Sequence, residues 1–452
     1  MNIDGLESVY RYGVWKSCVL VLVLGMGAST GASAQQSAEL PPSYAPPPTV
    51  KLTTWSFNSV NGAAPMGGVM IDSAGNLVGT TSGGGANGDG EVFMIAKTAT
   101  GFAKTPSVIA SFNGTNGQTP TGGLIADSSG NLFGTTQSGG NVDIYGNYGG
   151  VVFEIMRSSG IYGKSVKILA KLGNLTKIGD ALDEPIGSLA MDSMGNFFGA
   201  ADFAAQNFAI LKGGVFELKK SGSAYVTSAT PIVMFDGNNG GLPEAGLVKA
   251  SNGNLLGTTS QYGTLKEPGW GGTAFEILKT ATGYNNSATT LHNFGYASDG
   301  ALPMANPSFD SKGNIFGTTS EGGANFTGGT VFELIKVGAG YTYKSLINLP
   351  DSGPGPFGPE GGVIIDAAGN LFGATWAGGH NYDGTVFKIA KTATGYATTA
   401  TVLVTFNGAN GQQPQGNLVA DSSGNLFGTT NAGGVNGQGE VFEVSGSGFV
   451  VK

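Results

Sequence analysis

Residues 127–136 read DSSGNLFGTT, and this stretch decides the fold because it recurs along the chain. Copies recur at intervals of 55 to 65 residues and begin at Asp72, Asp127, Asp192, Ala250, Asp310, Asp366 and Asp421. A second landmark, an apolar pair such as Val-Phe followed by a polar or Met residue and another apolar one, follows each copy and begins at Val92, Val152, Val215, Ala274, Val331, Val386 and Val441. Two landmarks present seven times in the same order predict seven structural repeats.

Each repeat has the pattern of four short strands, named a to d in chain order. Strand a is an apolar run that leads into the Asp-x-x-Gly-Asn turn, where Asp caps the turn and Gly supplies the positive φ. Strand b is the Leu-Phe-Gly-Thr-Thr segment, strand c is the Val-Phe-Glu-Ile segment, and strand d follows a turn such as Lys97 to Gly101. Four antiparallel strands per repeat predict an all-β fold, a seven-bladed β-propeller.

The two ends of the repeat region predict that the ring is closed. Strand d follows strand c in only six repeats, and the chain stops shortly after the seventh strand c. The missing strand is at the front, where residues 51–57 (KLTTWSF) match the pattern of strand d. Phe57 precedes Asp72 by the same 15 residues that separate Phe112 from Asp127. We therefore expect residues 51–57 to complete the last blade and leave no open sheet edge, rather than an open array of seven units.

Composition excludes several classes of protein. Of the 452 residues 80 are glycine, more than twice the usual share of about 7%. This content is incompatible with a helical bundle, and the glycines lack the three-residue period of collagen. The chain has 22 Lys and Arg against 30 Asp and Glu, a net charge of −8, which disfavours nucleic acid as a partner. Its single cysteine, Cys18, lies in the segment that we interpret as a signal, so disulfide and thiolate chemistry are not expected in the mature protein.

The beginning of the chain predicts export. Arg11 and Lys16 precede an apolar run, and small residues then lead to the Ala-Ser-Ala sequence that ends at Ala34. Residues 1–34 are therefore expected to be a signal peptide, residues 35–50 a Pro-rich linker and residues 51–452 the propeller. The alternative is an uncleaved signal anchor. Cleavage would leave no membrane span and place the protein in the periplasm, on the cell surface or outside the cell.

The loops between strands b and c are the predicted ligand site. They vary in length, whereas the a–b turns are nearly constant, and in a propeller the b–c and d–a loops emerge on the same face. They also contain aromatic residues among Asn, Gly and acidic residues, an arrangement that suits carbohydrate binding. The candidate binding residues are Asp143, Tyr148, Tyr262, Trp270, Trp376 and Tyr382. The alternative is that these side chains only pack the loops onto the blades.

Catalysis has little support in the sequence. Only two histidines are present, and HExxH, G-x-S-x-G and a cysteine nucleophile are absent. His380, Asp383 and Glu321 are the candidates for an acid–base or metal cluster, because they lie in loops of adjacent repeats. The sequence favours a protein that is not an enzyme but does not decide the question.

No cofactor is expected, and Ca²⁺ is the one metal that the loops suggest. The d–a loop Phe112–Gly117 and the stretch Gly83–Gly90 contain the carbonyl and side-chain oxygens that Ca²⁺ prefers. Their Asn-Gly and Gly-Gly pairs are also turn formers, and we favour the purely structural role.

The D-x-x-G-N-L-F-G-T-T unit followed by G-T-V-F-E-I resembles the GloVer tandem repeat of exported bacterial proteins, over residues 51–445. The resemblance implies export and, often, anchoring at the cell surface by a C-terminal signal. Residues 446–452 (GSGFVVK) match no such signal. The family implies no established activity and no functional residues. A weaker similarity to sensor-kinase propellers and propeller lyases supports the fold alone.

Three functions are compatible with these observations. The favoured one is a binding or scaffolding module of the bacterial envelope or extracellular space, with carbohydrate or a cell-surface protein as its partner. The first alternative is a carbohydrate- or lactone-active propeller enzyme, a lyase or hydrolase. The second is a structural surface or adhesion component. The sequence predicts no oligomeric state.

Overall fold

The computed structural model describes residue 47 and residues 49–140, 149–173, 181–206, 209–263, 271–297, 299–324 and 327–451. These residues form seven antiparallel sheets, each built on four strands in the order a-b-c-d, arranged as a seven-bladed β-propeller. The predicted fold class is confirmed. The predicted signal peptide and most of the predicted linker lie outside the described residues.

The strands are short, as the sequence pattern requires. The innermost strand a spans Met70–Ile71, Ile125–Ala126, Ala181–Met191, Val248–Lys249, Ser308–Phe309, Ile364–Ile365 and Val419–Ala420 in blades 1 to 7. Strand b spans Leu77–Thr81, Leu132–Thr136, Phe197–Gln206, Leu255–Thr259, Ile315–Thr319, Leu371–Thr375 and Leu426–Ala432. Strand c spans Glu91–Ile95, Val151–Ile155, Gly214–Leu218, Thr273–Ile277, Thr330–Val337, Thr385–Ile389 and Glu440–Ser445. Strand d spans Ser107–Ser111, Lys167–Lys171, Thr230–Met234, Thr289–Asn293, Gly340–Asn348, Thr401–Thr405 and, in blade 7, Lys51–Ser56.

Short additional strands lie in the connections. Four c–d turns are small hairpins: Lys97–Thr98 with Gly101–Phe102, Arg157–Ser158 with Ile161–Tyr162, Lys220–Ser221 with Ala224–Tyr225, and Lys391–Thr392 with Gly395–Tyr396. Ala209–Leu211 pairs with strand b of blade 3, Gln412–Pro414 pairs with strand b of blade 7, and Pro356–Phe357 pairs with Ala377–Gly378. The described part of the chain contains no helix long and apolar enough to cross a membrane.

The N-terminal strand closes the ring. Lys51–Ser56 pairs antiparallel with Glu440–Ser445, with Lys51 opposite Ser445 and Ser56 opposite Glu440. Phe57, which follows this strand, is completely buried, and its carbonyl accepts a 2.9 Å hydrogen bond from Asn436. The prediction that the two chain ends meet in the last blade is therefore confirmed.

The core lies between the blades. The described residues form seven hydrophobic clusters, and each joins side chains of two adjacent blades. The strand c phenylalanines fill these clusters and are almost completely buried: Phe93, Phe153, Phe216, Phe275, Phe332, Phe387 and Phe442. Each ring lies against the glycine of strand b in its own blade. A Cβ at Gly134, for example, would lie 2.8 Å from Cζ of Phe153, which explains glycine in the Leu-Phe-Gly-Thr-Thr segment.

A threonine hydrogen bond joins most neighbouring blades. The first threonine at the end of strand b donates to a carbonyl at the start of the next blade; Thr80 to Gly122 O at 3.0 Å is one example. The last such bond, from Thr429 to Gly67 O at 3.0 Å, joins blade 7 to blade 1. Two blades have alanine at this position, Ala200 in blade 3 and Ala374 in blade 6. Because alanine has no hydroxyl, these two blades make no such bond to the blades that follow them.

The a–b turns form one face of the propeller together with the c–d turns, and we call it the turn face. Asp127 Oδ1 accepts from the backbone N–H groups of Ser129 and Asn131, and its Oδ2 accepts from Asn131 Nδ2 at 2.9 Å. Asn131 Oδ1 in turn accepts from the N–H of Arg157 at 2.8 Å, which fixes the c–d turn. Blade 4, where Ala250 replaces Asp, keeps the Asn bond, from Lys279 N–H to Asn254 at 2.9 Å. The repeated Asp is therefore a structural residue of the turn.

On the c–d turns of the first six blades, a Lys or Arg side chain lies over an aromatic ring. The distances from cation to ring centroid are 3.8 to 5.8 Å for Lys97–Phe102, Arg157–Tyr162, Lys220–Tyr225, Lys279–Tyr284, Lys336–Tyr341 and Lys391–Tyr396. Several of these pairs contact the preceding blade. For example, Tyr162 of blade 2 donates a 2.9 Å hydrogen bond to Asp72 of blade 1. Burial alone would raise the pKa of Asp72, but this bond and those from Asn76 and Ala74 together lower it.

Candidate functional site

The opposite face, formed by the d–a and b–c loops, is the loop face, and a repeated proline shapes its centre. Each blade has this proline at or just before strand a: Pro65, Pro120, Pro185, Pro243, Pro303, Pro359 and Pro414. Its ring contacts a glycine at the start of strand c of the preceding blade; a Cβ at Gly90 would lie 2.7 Å from Cδ of Pro120. The seven prolines therefore sit in the seams between blades.

The residue before each proline has a positive φ, which is uncommon for residues other than glycine. The φ values lie between 52° and 64° for Ala64, Thr119, Glu184, Leu242, Leu302, Gly358 and Gln413. Hydrogen bonds to the preceding blade and to the end of strand b in the same blade hold this conformation. The N–H of Leu302 donates to Gly271 O of the preceding blade at 3.0 Å, and its carbonyl accepts from the N–H of Ser320 at 3.1 Å. This backbone strain recurs in all seven blades, so it belongs to the propeller fold and does not mark one functional site.

Glycine backbones pack against one another closest to the axis. A Cβ at Gly122 would lie 2.2 Å from the carbonyl oxygen of Gly187 in the next blade, and one at Gly416 would lie 2.5 Å from the N of Gly68. A side chain cannot enter here without moving backbone. The residue directly after each proline does carry a side chain, and the type of residue at this position differs from blade to blade.

We call the resulting centre of the loop face the axial mouth. Its inner ring is the residue after each proline: Met66, Thr121, Ile186, Glu244, Met304, Glu360 and Gln415. Its outer ring consists of the seven residues that directly follow the Thr-Thr pair of strand b, or the equivalent pair in blades 3 and 6: Ser82, Gln137, Asp202, Ser260, Ser320, Trp376 and Asn431. All inner-ring residues are half-buried. The two rings touch, since Ser320 Oγ lies 3.7 Å from Met304 Sδ.

Three carboxyl groups of the axial mouth have raised pKa values. Burial raises the pKa of Asp202 well above its ordinary value, and the charges of Glu244 and Glu184 raise it further. Burial raises the pKa of Glu244 to about 7; Ser260 lowers it by a hydrogen bond, and the charge of Glu360 adds to the rise. Burial likewise raises the pKa of Glu360 to about 7, against the effect of a hydrogen bond from Gln415. The charges that raise these values come from one another and from Glu184.

Unpaired polar atoms concentrate at the same place. Nine buried side-chain nitrogen or oxygen atoms among the described residues have no hydrogen-bond partner. Four of them belong to the axial mouth: Thr121 Oγ1, Asp202 Oδ1, Gln415 Oε1 and Asn431 Oδ1. Gln415 uses its amide nitrogen to donate to Glu360 Oε2 at 2.7 Å, which leaves its oxygen free. Buried polar groups are normally hydrogen-bonded, so this concentration marks a place where a ligand can supply partners.

Of the predicted ligand residues that the structure describes, only Trp376 lies in the axial mouth. Trp376 is half-buried in the outer ring, and its backbone N–H donates to Gly358 O at 2.9 Å. Tyr262 packs against the d–a loop glycines Gly237 and Gly241, beneath the Lys212 ammonium at 5.0 Å, as expected for a loop-packing residue.

Tyr382 is 56% exposed, with its ring edge-to-face on Phe357 at 6.0 Å. Trp270, Tyr148 and Asp143 lie outside the described residues, and their predicted roles stay predictions.

The three weak catalytic candidates do not form a metal group. His380 is exposed, Asp383 and Glu321 are half-buried, and burial raises the pKa of both carboxyls. The described residues hold no group of three or more His, Cys, Asp or Glu that could bind a metal ion. In the d–a loop considered for Ca²⁺, Asn113 Oδ1 accepts from Thr115 Oγ1 and from the N–H of Asn116. The side-chain oxygens of this loop are thus used within the turn.

A family model described as the Gloeobacter/Verrucomicrobia repeat matches residues 43–267, 185–400 and 352–452, which together span the propeller. The chain belongs to this family. The GloVer resemblance drawn from the D-x-x-G-N unit is therefore confirmed. No curated protein matches this Gloeobacter/Verrucomicrobia repeat protein.

Two solved structures illustrate what the repeat protein is similar to. One is the putative oxidoreductase (glucose dehydrogenase) of Thermus thermophilus, with 13% identity and a TM-score of 0.42, covering 71% of this chain and 95% of that one. The other is a puromycin-hydrolyzing peptidase of Mycobacterium tuberculosis, with 9% identity and a TM-score of 0.47, covering 83% of this chain and 52% of that one. Both similarities are too distant to bear on function.

The acids of the axial mouth were missed in the sequence. Aromatic residues and variable loop length predicted a site in the b–c loops, whereas Glu244 and Glu360 stand between an invariant proline and small residues and resemble ordinary turn residues. The signal was nevertheless present. With the seven repeats in register, the residue after the proline is variable in a segment that is otherwise nearly constant.

Proposed function

We propose that this repeat protein is a binding or scaffolding module that holds a carbohydrate ligand at the axial mouth. The observation that carries the proposal is the set of unpaired polar atoms on Thr121, Asp202, Gln415 and Asn431 of the axial mouth, whose outer ring also contains Trp376. Carboxyl and amide oxygens accept hydrogen bonds from sugar hydroxyls, and an indole ring stacks on the C–H face of a sugar. The family and the propeller fold are compatible with a binding module.

The protein is proposed to work outside the cytoplasm. The support is the sequence of residues 1–34, with its basic start, apolar run and Ala-Ser-Ala site. A periplasmic, cell-surface or extracellular position would expose the loop face to envelope or environmental polysaccharide, or to a cell-surface protein that bears it.

Binding to a broad glycan panel tests the function, with two aromatic variants compared. Trp376→Ala removes the ring of the axial mouth. Tyr341→Ala removes a half-buried ring on the turn face and is the matched control. We expect saturable binding that weakens about tenfold in Trp376→Ala, since stacking of an aromatic side chain contributes on the order of 1 kcal/mol, and that is unchanged in Tyr341→Ala.

A protein that binds no glycan, or loses binding equally in both variants, would contradict the proposal. Self-association or retention on the cell surface without glycan binding would then favour the structural or adhesion role.

A second candidate is hydrolysis or elimination on a carbohydrate or lactone, and one observation favours it. Asp202 and Glu244 are interacting carboxyls on adjacent blades, and carboxyl pairs of raised pKa supply general acids and bases. Incubation of bound glycans with the wild type and with Glu244→Gln, followed by mass spectrometry of the products, distinguishes the two. Product formed only by the wild type would establish an enzyme.

A further inference from the structure

The turn face presents positive charge to solvent, although the protein as a whole is acidic with a net charge of −8. The acids of this face are the Asp of the a–b turns and the Glu of strand c, and all of them are buried or half-buried. Among the described residues of the turn face, every charged side chain that is exposed is a lysine: Lys51, Lys97, Lys104, Lys164, Lys167, Lys219, Lys220, Lys249, Lys312, Lys336, Lys344 and Lys391. The surface that this face offers to a partner is therefore cationic.

Ion pairs within the fold use only a few of the turn-face cations. The pairs found among the described residues of this face are Arg157–Asp72, Lys167–Glu154, Lys219–Glu217 and Lys279–Asp192, with distances of 2.7 to 3.7 Å. Lys164, Lys249 and Lys312 are exposed and belong to none of these pairs. Their charges are therefore available to an anionic partner.

The same face exposes apolar side chains. Twelve large apolar side chains are exposed among the described residues. Eight of them lie at the a–b turns, at the c–d turns or after the last strand c: Met156, Ile161, Met194, Val226, Leu278, Val337, Val450 and Val451. The first six of these belong to blades 2 to 5. Cationic and apolar groups therefore share one side of the propeller.

The fold does not require these apolar residues. With the repeats in register, the other c–d turns have Gly or Ala where blade 2 has Ile161, and Ser or Thr where blade 5 has Val337. The other a–b turns have Ala, Ser, Asn or Lys where blade 3 has Met194. The N–H of Met194 still donates to Asp192 Oδ1 at 2.9 Å, so the turn is unchanged and only its exposed side chain differs. Exposed apolar groups that the fold does not use indicate a contact with a partner.

Met194 shows how closely the two kinds of group are placed. Its side chain is 63% exposed. On one side of it in the sequence, a Cβ at Gly195 would lie 2.9 Å from Cδ of Lys220. On the other side, Asp192 Oδ2 lies 3.7 Å from Lys279 Nζ. An apolar side chain flanked by cations suits a lipid interface, where cations meet the headgroup phosphates and apolar groups enter the layer beneath them.

We propose that the turn face of blades 2 to 5 docks on an anionic phospholipid surface, with its lysines at the headgroups and Ile161, Met194 and Val337 in the interface. A soluble polyanion would give these apolar side chains no contact. The loop face of a second copy is a weak counterpart, since its exposed acids among the described residues are only Asp236 and Asp351. The inference does not depend on the proposed function, and it leaves the loop face open to a ligand.

Sedimentation with vesicles of two compositions tests the inference. The predicted mature chain, residues 35–452, retains the seven blades and the closing strand, and it lacks the apolar run near the N-terminus, which would bind vesicles by itself. One set of vesicles is phosphatidylcholine alone, and the other is equal parts of phosphatidylcholine and phosphatidylglycerol. We expect binding to the anionic vesicles to be at least about tenfold stronger, because several lysines are attracted at once. This binding should weaken with added salt.

Charge variants assign the binding to the turn face. The triple variant Lys164→Gln/Lys249→Gln/Lys312→Gln removes three exposed charges that take part in no ion pair of the fold. We expect its binding to anionic vesicles to fall about tenfold or more. The matched variant Lys164→Arg/Lys249→Arg/Lys312→Arg keeps the charges and should bind as the wild type does. Circular dichroism and thermal unfolding check that both variants fold.

Apolar variants distinguish a lipid interface from a purely ionic contact. Ile161→Ala/Met194→Ser introduces residues that other repeats have at these positions, so the fold should be kept. We expect binding to anionic vesicles to weaken several-fold, because less apolar surface enters the interface. The control is Val60→Thr/Val435→Ala, which removes two exposed valines of the loop face and also introduces residues of other repeats. It should bind as the wild type does.

Four outcomes would overturn the inference. The first is equal binding to both kinds of vesicle, or binding to neither. The second is binding that persists in the triple Gln variant, because another surface would then recognise the lipid. The third is binding to heparin, a soluble polyanion, that matches vesicle binding and is unchanged in Ile161→Ala/Met194→Ser. The fourth is self-association without vesicles that the triple Gln variant abolishes, which would make a second copy the partner. Glycan binding is measured separately and should be unchanged in all of these variants.

Discussion

The turn face and the axial mouth are built from the same seven repeats, but their polar side chains differ in whether they have hydrogen-bond partners. On the turn face, Asp127 and Asn131 use their side-chain oxygens to fix two turns, and the same contacts recur from blade to blade. At the axial mouth, equivalent positions carry Met, Thr, Ile, Glu or Gln, and buried oxygens of Asp202 and Gln415 have no partner.

The difference shows where a symmetric fold can vary. The turn is determined by backbone hydrogen bonds that only Asp, Gly and Asn supply well, so the sequence is nearly fixed there. The residue after each proline is held by its neighbours, Pro on one side and small residues on the other, and the fold requires no particular partner for its side chain. Such positions are free to acquire a function, and the following predictions test this contrast.

Opening the ring should have the largest effect, because both faces depend on it. Deletion of residues 51–57 leaves strand c of blade 7 as an open edge and removes Trp55 and Phe57 from the cluster between blades 7 and 1. We expect aggregation and loss of a cooperative unfolding transition, measured by light scattering and circular dichroism.

A circular permutant in which residues 51–57 follow residue 452 through a flexible linker is the control for that deletion. It restores the pairing with Glu440–Ser445 and should unfold cooperatively. Failure of the permutant would mean that the position of the strand in the chain matters, and not its pairing alone.

Gly122→Ala should be the most destabilising single substitution of those considered. Its Cβ would lie 2.2 Å from Gly187 O, a backbone atom that cannot move away, so we expect a loss on the order of 3 kcal/mol in the free energy of unfolding. Gly340→Ala is the control, since its Cβ meets only Val337 O at 4.0 Å on the turn face. Denaturant titration of both variants checks the difference, and equal losses would refute the account of close packing at the axis.

Removal of a polar side chain should cost stability on the turn face and none at the axial mouth. Asn131→Ala loses a hydrogen bond to Asp127 and one from Arg157, so we expect a loss of about 1–2 kcal/mol. Thr121→Val removes an unpaired hydroxyl and should be neutral or slightly stabilising. Urea unfolding measures both, and a clear loss in Thr121→Val would show that its hydroxyl has a partner after all.

The smallest expected effect concerns how the stability of the protein depends on pH. The carboxyls of the axial mouth should contribute most to this dependence. Glu244 and Glu360 have folded pKa values of about 7, above the ordinary value of 4.5. The folded protein therefore holds protons that the unfolded chain releases, and its stability falls as pH rises from about 4.5 to about 7. Glu244→Gln removes part of this fall and should raise Tm at pH 8 by about 1–2 °C relative to wild type.

Thermal unfolding scans between pH 4 and pH 8 measure this change. Asp89→Asn, outside the two rings, is the control and should keep the slope of the wild type. An unchanged slope in Glu244→Gln would mean that this carboxyl is ionised throughout the range.

The fold was predictable from sequence because repetition exposes it. The Asp-x-x-Gly-Asn turn and the strand c Phe recur along the chain, and the spacing of Phe57 from Asp72 placed the closing strand correctly. Among the described residues, Trp376 is the only predicted ligand residue that lies in the axial mouth. Asp202 and Glu244 interact although they belong to different blades, and that proximity depends on how neighbouring strands pack at the axis. No local pattern around either residue contains this information.

The pairing of the first strand with the last strand c has a consequence for the order in which the molecule can be made. Residues 51–56 are the first strand of the propeller to be synthesised, yet their partner, residues 440–445, is the last. Every other four-stranded sheet is drawn from a single repeat, so six blades can form as the chain grows. The first strand must wait, unpaired, until the remainder has folded, and contacts so distant in sequence form slowly. Pairing of the first strand is therefore the final step of folding, and it closes the ring. Until it occurs, strand c of blade 7 remains an exposed, open sheet edge.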